Sequence, residues 1–457
     1  MSGHFDEELS SLLPFSVHRC NSELCLPHAM YLLLAALIFN CLFIVCLTAP
    51  QDHVSTEEVV SYSRFQLWSI TPHNKEGCDF LRKIQRDYDL DVWKESRSGN
   101  STMDLLIPPD FQMELKLRLA DAKISYVVTI RDVQTVIDNA NSNVTIRDEI
   151  SKAQGHNMDW NNYHRLNDIY DYLNYLEDSY PQIVKLITIG WSYEGRPLYV
   201  VRISSASSPD TNPAIWIDGE THAREWISSA LATYIIHQLV EVDGNQGLLS
   251  NVDWYIMPMI NPDGYEFTHT KNRLWRKSRS RPGKFCRGVD LNRNFGYKWG
   301  GLGAGRNPCS ETFRGPAAFS EPETAAVSEF IQSKSSKIKV FLSFHSFGQL
   351  LLLPWAHSHP AVYPPDYDEL LELAKNAASK FVRFKFSVGN TVELLYTASG
   401  NSVDWAKSIG IKYTYCVELG NIGIYGFILP PSLILPTCED FFPALKVFAD
   451  MAATMTN

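Results

Sequence analysis

Five short apolar segments most narrow what this chain can fold into: "PLYVVRIS", "AIWID", "WYIMPMI", "KVFLSFH" and "KYTYCVE", spread between residues 197 and 418. Each is strand length and rich in β-branched or aromatic residues. Helical stretches accompany them, the amphipathic "YHRLNDIYDYLNYLEDSY" and the helices "WISSALATYIIHQLVEV" and "CEDFFPALKVFADMAATM". Apolar strands interleaved with helices predict an α/β domain from about residue 153 to 457, with a mixed, mostly parallel sheet covered on both faces. In such sheets ligands bind beyond the carboxyl ends of strands, so those ends are where function is sought.

The 457 residues leave room for more than that domain. Between residues 57 and 140 the order is strand, helix, strand, strand, helix, strand: "SRFQLWSI", "GCDFLRKIQRDY", "LDVWKES", "TMDLLIPP", "DFQMELKLRLADA", "SYVVTI". This predicts a small α+β, ferredoxin-like unit. The polar stretch around residues 139–159 has no apolar period and reads as a linker. Its stretch 141–152 contains Arg147 and Lys152, basic residues that a trypsin-like protease could cut.

Residues 1–49 form a leader whose uncharged apolar run, 29–47, fits a signal peptide or a signal anchor. Asp6, Glu7, Glu8 and Glu23 outweigh Arg19 ahead of it, so no positive flank argues for an anchor. Translation from Met30 would give a conventional signal peptide, cut near Ala49. Secretion is expected, with a membrane-tethered form as the alternative. Cysteine use agrees: four of nine lie in or before the leader, and Cys286 and Cys309 flank an irregular Gly-rich segment that a disulfide could close. Asn100 and Asn143 begin N-glycosylation triplets.

"IDGETHAREW" places His222 and Glu225 just past the strand "AIWID". A His followed three residues later by Glu is weak by itself, since His4 with Glu7 and His73 with Glu76 share the spacing. Position and company give it weight. His345 closes "KVFLSFH" at another strand end, and two imidazoles with one carboxylate, leaving a fourth position open, are the makeup of a catalytic zinc site. Glu418 ends "KYTYCVE" and offers a base. A formal charge of −10 argues against a nucleic-acid partner, yet Lys271 to Lys284 carries seven basic residues in fourteen. There Arg273 and Arg276 flank Trp275, and Asn292 and Arg293 follow; guanidinium groups beside an amide suit capture of a carboxylate. Zinc, a base and carboxylate-binding arginines together point to a peptide held by its free C-terminus.

"THAREW", "NRLWRKSRS", "DLNRNF", "FHSFGQLLLLPW", "YTASGNSVDW" and "YGFILP", in this order, resemble the motif set of the pancreatic-type zinc metallocarboxypeptidases of the A/B subfamily. The similarity runs over roughly residues 57 to 455. It implies the zinc carboxypeptidase fold with an eight-stranded type of sheet, one Zn2+ held by His222, Glu225 and His345, Glu418 as general acid/base, and Arg276 polarising the scissile carbonyl. It further implies that Asn292, Arg293 and Tyr396 hold the terminal carboxylate, that Arg224 and Arg273 are auxiliary groups along the substrate path, and that the 57–140 unit is an inhibitory propeptide. A monomer acting on peptides with a free C-terminus, activated by a trypsin-like protease, is expected.

In the subfamily the residue before the "DW" pair lies at the base of the pocket for the departing side chain, and it is acidic in enzymes that remove Lys and Arg. Here it is Val403, with Leu352, Ala356, Leu395 and Ala398 at other pocket positions. Apolar C-terminal residues are therefore expected; a one-residue shift that brought Asp404 into the pocket would reverse this. Three departures stand out: Phe347 where tyrosine is usual, "ELGNIG" for "ELRDTG", and a thiol, Cys416, on the same strand face as Glu418. The rival readings are a B-type or broad specificity, and a peptide-binding relative without catalysis. The state of Cys78, Cys416 and Cys438 is open.

Overall fold

The computed structural model describes residues 57–95, 101–141, 155–205, 212–420 and 425–455. The leader 29–47, the sequon residues Asn100 and Asn143, and the cleavage candidates Arg147 and Lys152 lie outside the described residues. Among the described residues no helix is long and apolar enough to cross a membrane.

The first part of the chain forms β1 (Gln66–Thr71), α1 (Lys75–Asp87), β2 (Val92–Lys94), β3 (Met103–Ile107), α2 (Gln112–Asp121), β4 (Ser125–Ile130) and α3 (Val133–Asn141). The four strands make an antiparallel sheet in the order β2-β3-β1-β4. Asn74 caps α1 by accepting from the Gly77 N–H at 2.8 Å. Strand alternation then sorts the apolar residues. Trp68, Ile70, Leu105 and Ile107 bury against Leu81, Ile84, Leu115 and Leu119 of the two helices. Leu67, Leu106 and Ile130 point the other way, into a cluster shared with Leu274, Phe347, Phe427 and Ile428 of the following domain. Helix α3 was not expected from the sequence, where a linker was read from residue 139. Val133, Val136, Ile137 and Ala140 repeat at helical spacing and join that second cluster.

The larger part is built on β5 (Val184–Trp191), β6 (Pro197–Ile203), β7 (Ala214–Asp218), β8 (Asp253–Met257), β9 (Ile338–Ser346), β10 (Leu350–Leu353), β11 (Ser387–Asn390) and β12 (Tyr413–Leu419). They form one sheet ordered β11-β10-β12-β9-β7-β8-β6-β5. Its centre, β12-β9-β7-β8, is parallel; β5, β6 and β10 bring antiparallel pairings toward the edges. Helices α4 (Leu166–Ser179), α5 (Trp226–Val240), α6 (Pro262–Thr270), α7 (Pro322–Lys334), α8 (Tyr367–Ala378), α9 (Ser402–Ser408) and α10 (Ile434–Ala453) surround it.

Both faces of the central strands are buried, which is why those strands read as nearly continuous apolar runs. Ile215, Ile217, Trp254, Ile256, Val340, Leu342 and Phe344 face α4, α5, α8 and α10. Trp216, Tyr255, Met257 and Phe341 face α7 and α9. Strands β5, β10 and β11 were not among the expected ones. "SVGN" of β11 is short and polar enough to read as a loop, and "LLLL" of β10 has no alternation. Cys286 and Cys309 form the expected disulfide, Cα atoms 5.1 Å apart. Cys78 and Cys438 are buried and form no disulfide.

Candidate active site

His222 sits four residues past β7, and Glu225 directly precedes α5, its carboxylate at the positive end of the helix. His345 lies one residue from the end of β9. The three converge: His222 Nδ1 is 2.9 Å from Glu225 Oε1, His345 Nδ1 is 3.0 Å from Glu225 Oε2, and the two Nδ1 atoms are 3.1 Å apart. Among the described residues this is the group of His, Cys, Asp and Glu side chains that could hold a metal, and all three are buried.

The atoms behind the cluster show why it fits a cation. His222 Nε2 is 3.1 Å from Asp290 Oδ1, and His345 Nε2 is 3.2 Å from Ser343 Oγ, whose own proton goes to Asp218 Oδ1 at 2.6 Å. With each Nε2–H so engaged, both Nδ1 atoms carry lone pairs turned on one another and on a carboxylate. That arrangement repels itself unless positive charge, a metal ion or a proton on an imidazole, lies among the three. Burial works against the Glu225 carboxylate, but His222 and His345 outweigh it and hold its pKa well below the usual range. Sequence reasoning did not single out Asp290 or the Ser343–Asp218 pair. A buried imidazole needs an acceptor on its second nitrogen, and Asp290, two residues before Asn292, was the available signal.

Parallel pairing of β12 with β9 sets Glu418 beside His345 in register. Burial pushes the Glu418 carboxyl up to about 8, against His345 and Arg276, which favour its charged form. Arg276 donates from Nε and Nη2 to Asp290 Oδ2 at 3.2 and 2.9 Å, and its Nη1 is 3.9 Å from Glu225 Oε1. Asp290 thus ties Arg276 and His222 into one frame. Asn292 and Arg293 occupy the single turn Leu291–Arg293. Asn292 accepts from the Ser402 N–H at 2.9 Å, and its Nδ2 is 3.3 Å from His345 Nε2. Arg293 donates from Nε to the Gly303 carbonyl at 2.8 Å, with its guanidinium 5.7 Å from the centre of the Tyr396 ring.

Arg224 and Arg273 diverge. Arg224 stacks on Phe427, 4.1 Å from the ring centre, and reaches Asp91 of the first domain with both terminal nitrogens, at 2.6 and 3.2 Å. Arg273, expected along the substrate path, is instead spent on the frame: it donates to the Arg224 and Phe427 carbonyls at 3.0 and 3.1 Å and stacks on Trp226 at 3.6 Å. Its full burial lowers its pKa to about 10, with Tyr163 and Glu220 opposing the loss of charge.

Leu352 pairs in register with Cys416, and the Ala398 N–H donates to the Ala356 carbonyl at 2.7 Å. Val403 is buried with Phe295, Trp405 and Cys416, while Leu395 ends the helical turn Thr391–Leu394 and is half-buried. Asp404 is directed elsewhere: its carboxylate accepts from the Ala356 N–H at 2.9 and 3.0 Å and lies 3.2 Å from His357 Nδ1.

Comparison with known proteins supplies the context for this geometry. A family model described as zinc carboxypeptidase matches residues 169–444, and one described as carboxypeptidase activation peptide matches residues 68–140. The chain is 36% identical to carboxypeptidase A2 of Mus musculus over 395 residues, 84% of this chain and 93% of that one. It is 37% identical to carboxypeptidase A1 of Sus scrofa over 369 residues, 78% of this chain and 85% of that one. Among solved structures, thrombin activatable fibrinolysis inhibitor matches with a TM-score of 0.78 and 33% identity, covering 86% of this chain and 99% of that one. Carboxypeptidase A from Helicoverpa armigera matches with a TM-score of 0.77 and 27% identity over 86% and 98%. By the span of these matches and the zinc-fitting cluster at its sheet's carboxyl edge, the chain belongs to the zinc carboxypeptidase family, as a metallocarboxypeptidase that carries its own activation peptide.

Proposed function

We propose that this protein is a secreted carboxypeptidase zymogen that removes apolar C-terminal residues, aliphatic or aromatic, from peptides after a trypsin-like protease cuts near Arg147 or Lys152. The observation that carries the catalytic part is the register of β12 on β9, which sets a buried Glu418 beside His345 of the metal-fitting cluster.

His222, Glu225 and His345 hold the zinc ion, which when bound polarises the scissile carbonyl and makes water more acidic. The chain's own groups do the rest. Arg293, Asn292 and Tyr396 take the terminal carboxylate and so fix which peptide bond lies at the centre. Glu418 receives a proton from the attacking water at a carboxylate oxygen and passes it to the departing amide nitrogen. Arg276, held in orientation by Asp290, donates to the oxygen on which negative charge grows.

Preference for apolar residues is supported by the residue types at Val403 and the other matched pocket positions. Leu352, Ala356, Leu395 and Ala398 supply no charge, and the Asp404 carboxylate is engaged by the Ala356 N–H and lies 3.2 Å from His357 Nδ1. A Lys or Arg side chain in that place would be desolvated without a partner. Blocked dipeptides ending in Phe, Leu, Lys or Arg test the reading, assayed after trypsin with and without a chelator. Chelator-sensitive release of Phe and Leu only after trypsin supports it. Faster release of Lys or Arg overturns the specificity, and no release from zinc-loaded, trypsin-cut protein overturns the catalytic role.

A further inference from the structure

The turn that joins α8 to β11 gathers positive charge that the fold does not neutralise. Residues 375–387 carry Lys375, Lys380, Arg383 and Lys385 and no acidic residue, in a chain whose formal charge is −10. Lys375, in the last turn of α8, complements the helix dipole; the other three lie beyond the helix end, where that effect has faded. All four are exposed. Arg383 has one loose partner, Glu439 at 3.9 Å, with both side chains at the surface. Among the described residues no carboxylate stands within ion-pair distance of Lys375, Lys380 or Lys385.

The backbone beneath these cations is braced. The buried Asp440 carboxylate of α10 accepts from the Val382 and Arg383 N–H groups at 2.8 and 2.9 Å, and from the Phe384 N–H at 2.9 Å. Phe381 stacks on Phe386, ring centres 4.0 Å apart, and packs on Phe441 of α10. Val382 is left at the tip, 87% exposed, beside Arg383. A braced turn loses little backbone entropy when something binds it. Its amides are already taken by Asp440, so an isolated phosphate or sulfate meets side chains there but no nest of backbone donors. An extended chain bearing several carboxylates and some apolar side chains matches both the cations and the Val382 tip.

Strand register relates this turn to the catalytic centre. Leu350 of β10 pairs with Glu418 on one side and with Ser387 of β11 on the other. The turn, which ends at Ser387, therefore emerges at the same edge of the sheet as Glu418, two strand spacings or about 10 Å along it. Glu418 shares the face of Cys416, which packs into the layer under α9, whereas Phe381 and Phe386 pack into the layer of α8 and α10. Around that edge the separation is about 15–20 Å, which an extended peptide crosses with about five or six residues.

We propose that the 379–386 turn docks acidic, partly apolar segments of polypeptide substrates, upstream of the bond that is cut. The inference rests on the catalytic reading above and adds to it a substrate class selected outside the cleft. Polypeptide is the occupant because the cleft at this edge takes polypeptide, so one chain can reach both places. Lys380, Val382, Arg383 and Lys385 are exposed with the activation peptide in place, so the uncut protein should bind such segments as well.

The kinetic test uses trypsin-matured, zinc-loaded protein. Blocked peptides share a Gly/Ala spacer that ends in Phe and is long enough to span the gap, preceded by alternating Glu and Val, Gln and Val, or Lys and Val. A blocked dipeptide ending in Phe is the reference. The Glu block should lower KM about five- to tenfold against the Gln block at unchanged kcat, the scale of three or four exposed charge pairs, and the gain should fade in salt. The Lys block should raise KM. Replacing the cations together, Lys380→Gln, Arg383→Gln and Lys385→Gln, should bring the ratio of Glu to Gln near one and leave the dipeptide untouched. Equal KM for the Glu and Gln blocks, or an advantage that survives in the triple variant, would overturn the inference alone. Fluorescence anisotropy of the labelled Glu and Gln peptides on uncut protein gives a readout without turnover, with phosphatidylserine vesicles and heparin titrated in parallel. Capture of vesicles or heparin by these cations with no preference for the Glu peptide would assign the turn to a lipid or glycan and overturn the proposal. An inert dipeptide would overturn the catalytic reading; anisotropy then decides the docking, which stands on a Glu preference lost in the triple variant and falls on equal binding.

Discussion

Replacing Asp290 by asparagine should weaken zinc binding by about 10- to 100-fold without unfolding the protein. Asp290 is fully buried and takes four bonds: His222 Nε2 at 3.1 Å and the Asn292 N–H at 3.0 Å on Oδ1, Arg276 Nη2 at 2.9 Å and Nε at 3.2 Å on Oδ2. An amide of the same shape keeps one oxygen and replaces the other by a donor. With the oxygen toward His222, an NH2 faces the Arg276 guanidinium; turned over, it faces the His222 Nε2–H. Either way a donor meets a donor, and one charge-assisted bond worth about 1.5–3 kcal/mol is lost. If the amide oxygen settles toward Arg276 and the NH2 toward His222, nearly all of this falls on the orientation and basicity of His222, which at 1.4 kcal/mol per decade gives the stated range. The measurement is competition for zinc between the protein and a chromophoric chelator at fixed pH, with near-UV circular dichroism as the control for fold. Unchanged zinc affinity in a natively folded variant would refute the claim that Asp290 holds His222 for the metal.

Glu418→Gln should retain zinc but lower kcat by about 10²- to 10⁴-fold, the range for loss of a positioned general base; single-turnover assays on zinc-saturated protein would read it. Asp91→Asn removes the charge that holds Arg224 to the activation peptide, so the uncut zymogen should show measurable leak activity and faster tryptic maturation, and identical kinetics to the parent would count against the latch. Glu323 gives a pH signature. Buried with only the Tyr193 and its own N–H as help, its carboxyl is pushed up to about 8, so the folded state holds the proton more tightly than the unfolded chain. Its contribution is complete below about pH 4.5 and is lost as pH rises toward 8, by up to about 5 kcal/mol in total. Glu323→Gln should flatten denaturant stability between pH 5 and 8, and an unchanged slope would show that Glu323 is ionised in the fold.

The residues that could be read from sequence alone are those whose type and position both carry meaning. His222, Glu225, His345 and Glu418 stand at or just beyond apolar strands, so the strand-end rule for open sheets was enough to associate them. The strands themselves were visible because two-sided burial makes them continuously apolar, and the edge strand β11 was not, because "SVGN" is covered on fewer sides. Arg273 shows the limit. Its sequence context, three residues before Arg276 with Trp275 between them, is that of a substrate-binding cation, yet two backbone carbonyls and the Trp226 face absorb it. Which of two neighbouring arginines reaches the cleft depends on where the Arg224 and Phe427 segments pass, and those are long-range facts. Asp91 and Trp93 were likewise readable only as part of a small strand, because their partners lie more than 100 residues away.

The catalytic geometry rests on a register more than on any single side chain. Glu418 lies beside His345 because Cys416 lies beside Ser343 and Thr414 beside Phe341, residue for residue along two parallel strands. A slip of one residue would turn every side chain of β12 to the opposite face, carrying Glu418 away from the metal cluster and Tyr415 out of its packing against Phe448. What forbids the slip is burial on both sides. Tyr415, Val417 and Leu419 are buried in the layer under α10, while Cys416 packs into the layer under α9, and neither layer has space for the other's side chains. The Tyr415 hydroxyl adds a bond to the Leu370 carbonyl of α8 at 3.0 Å, which only this register allows. The chemistry at the strand ends is therefore fixed by apolar packing well below them. Core substitutions in β12 that leave every catalytic residue in place can for that reason act on turnover as strongly as changes in the cleft.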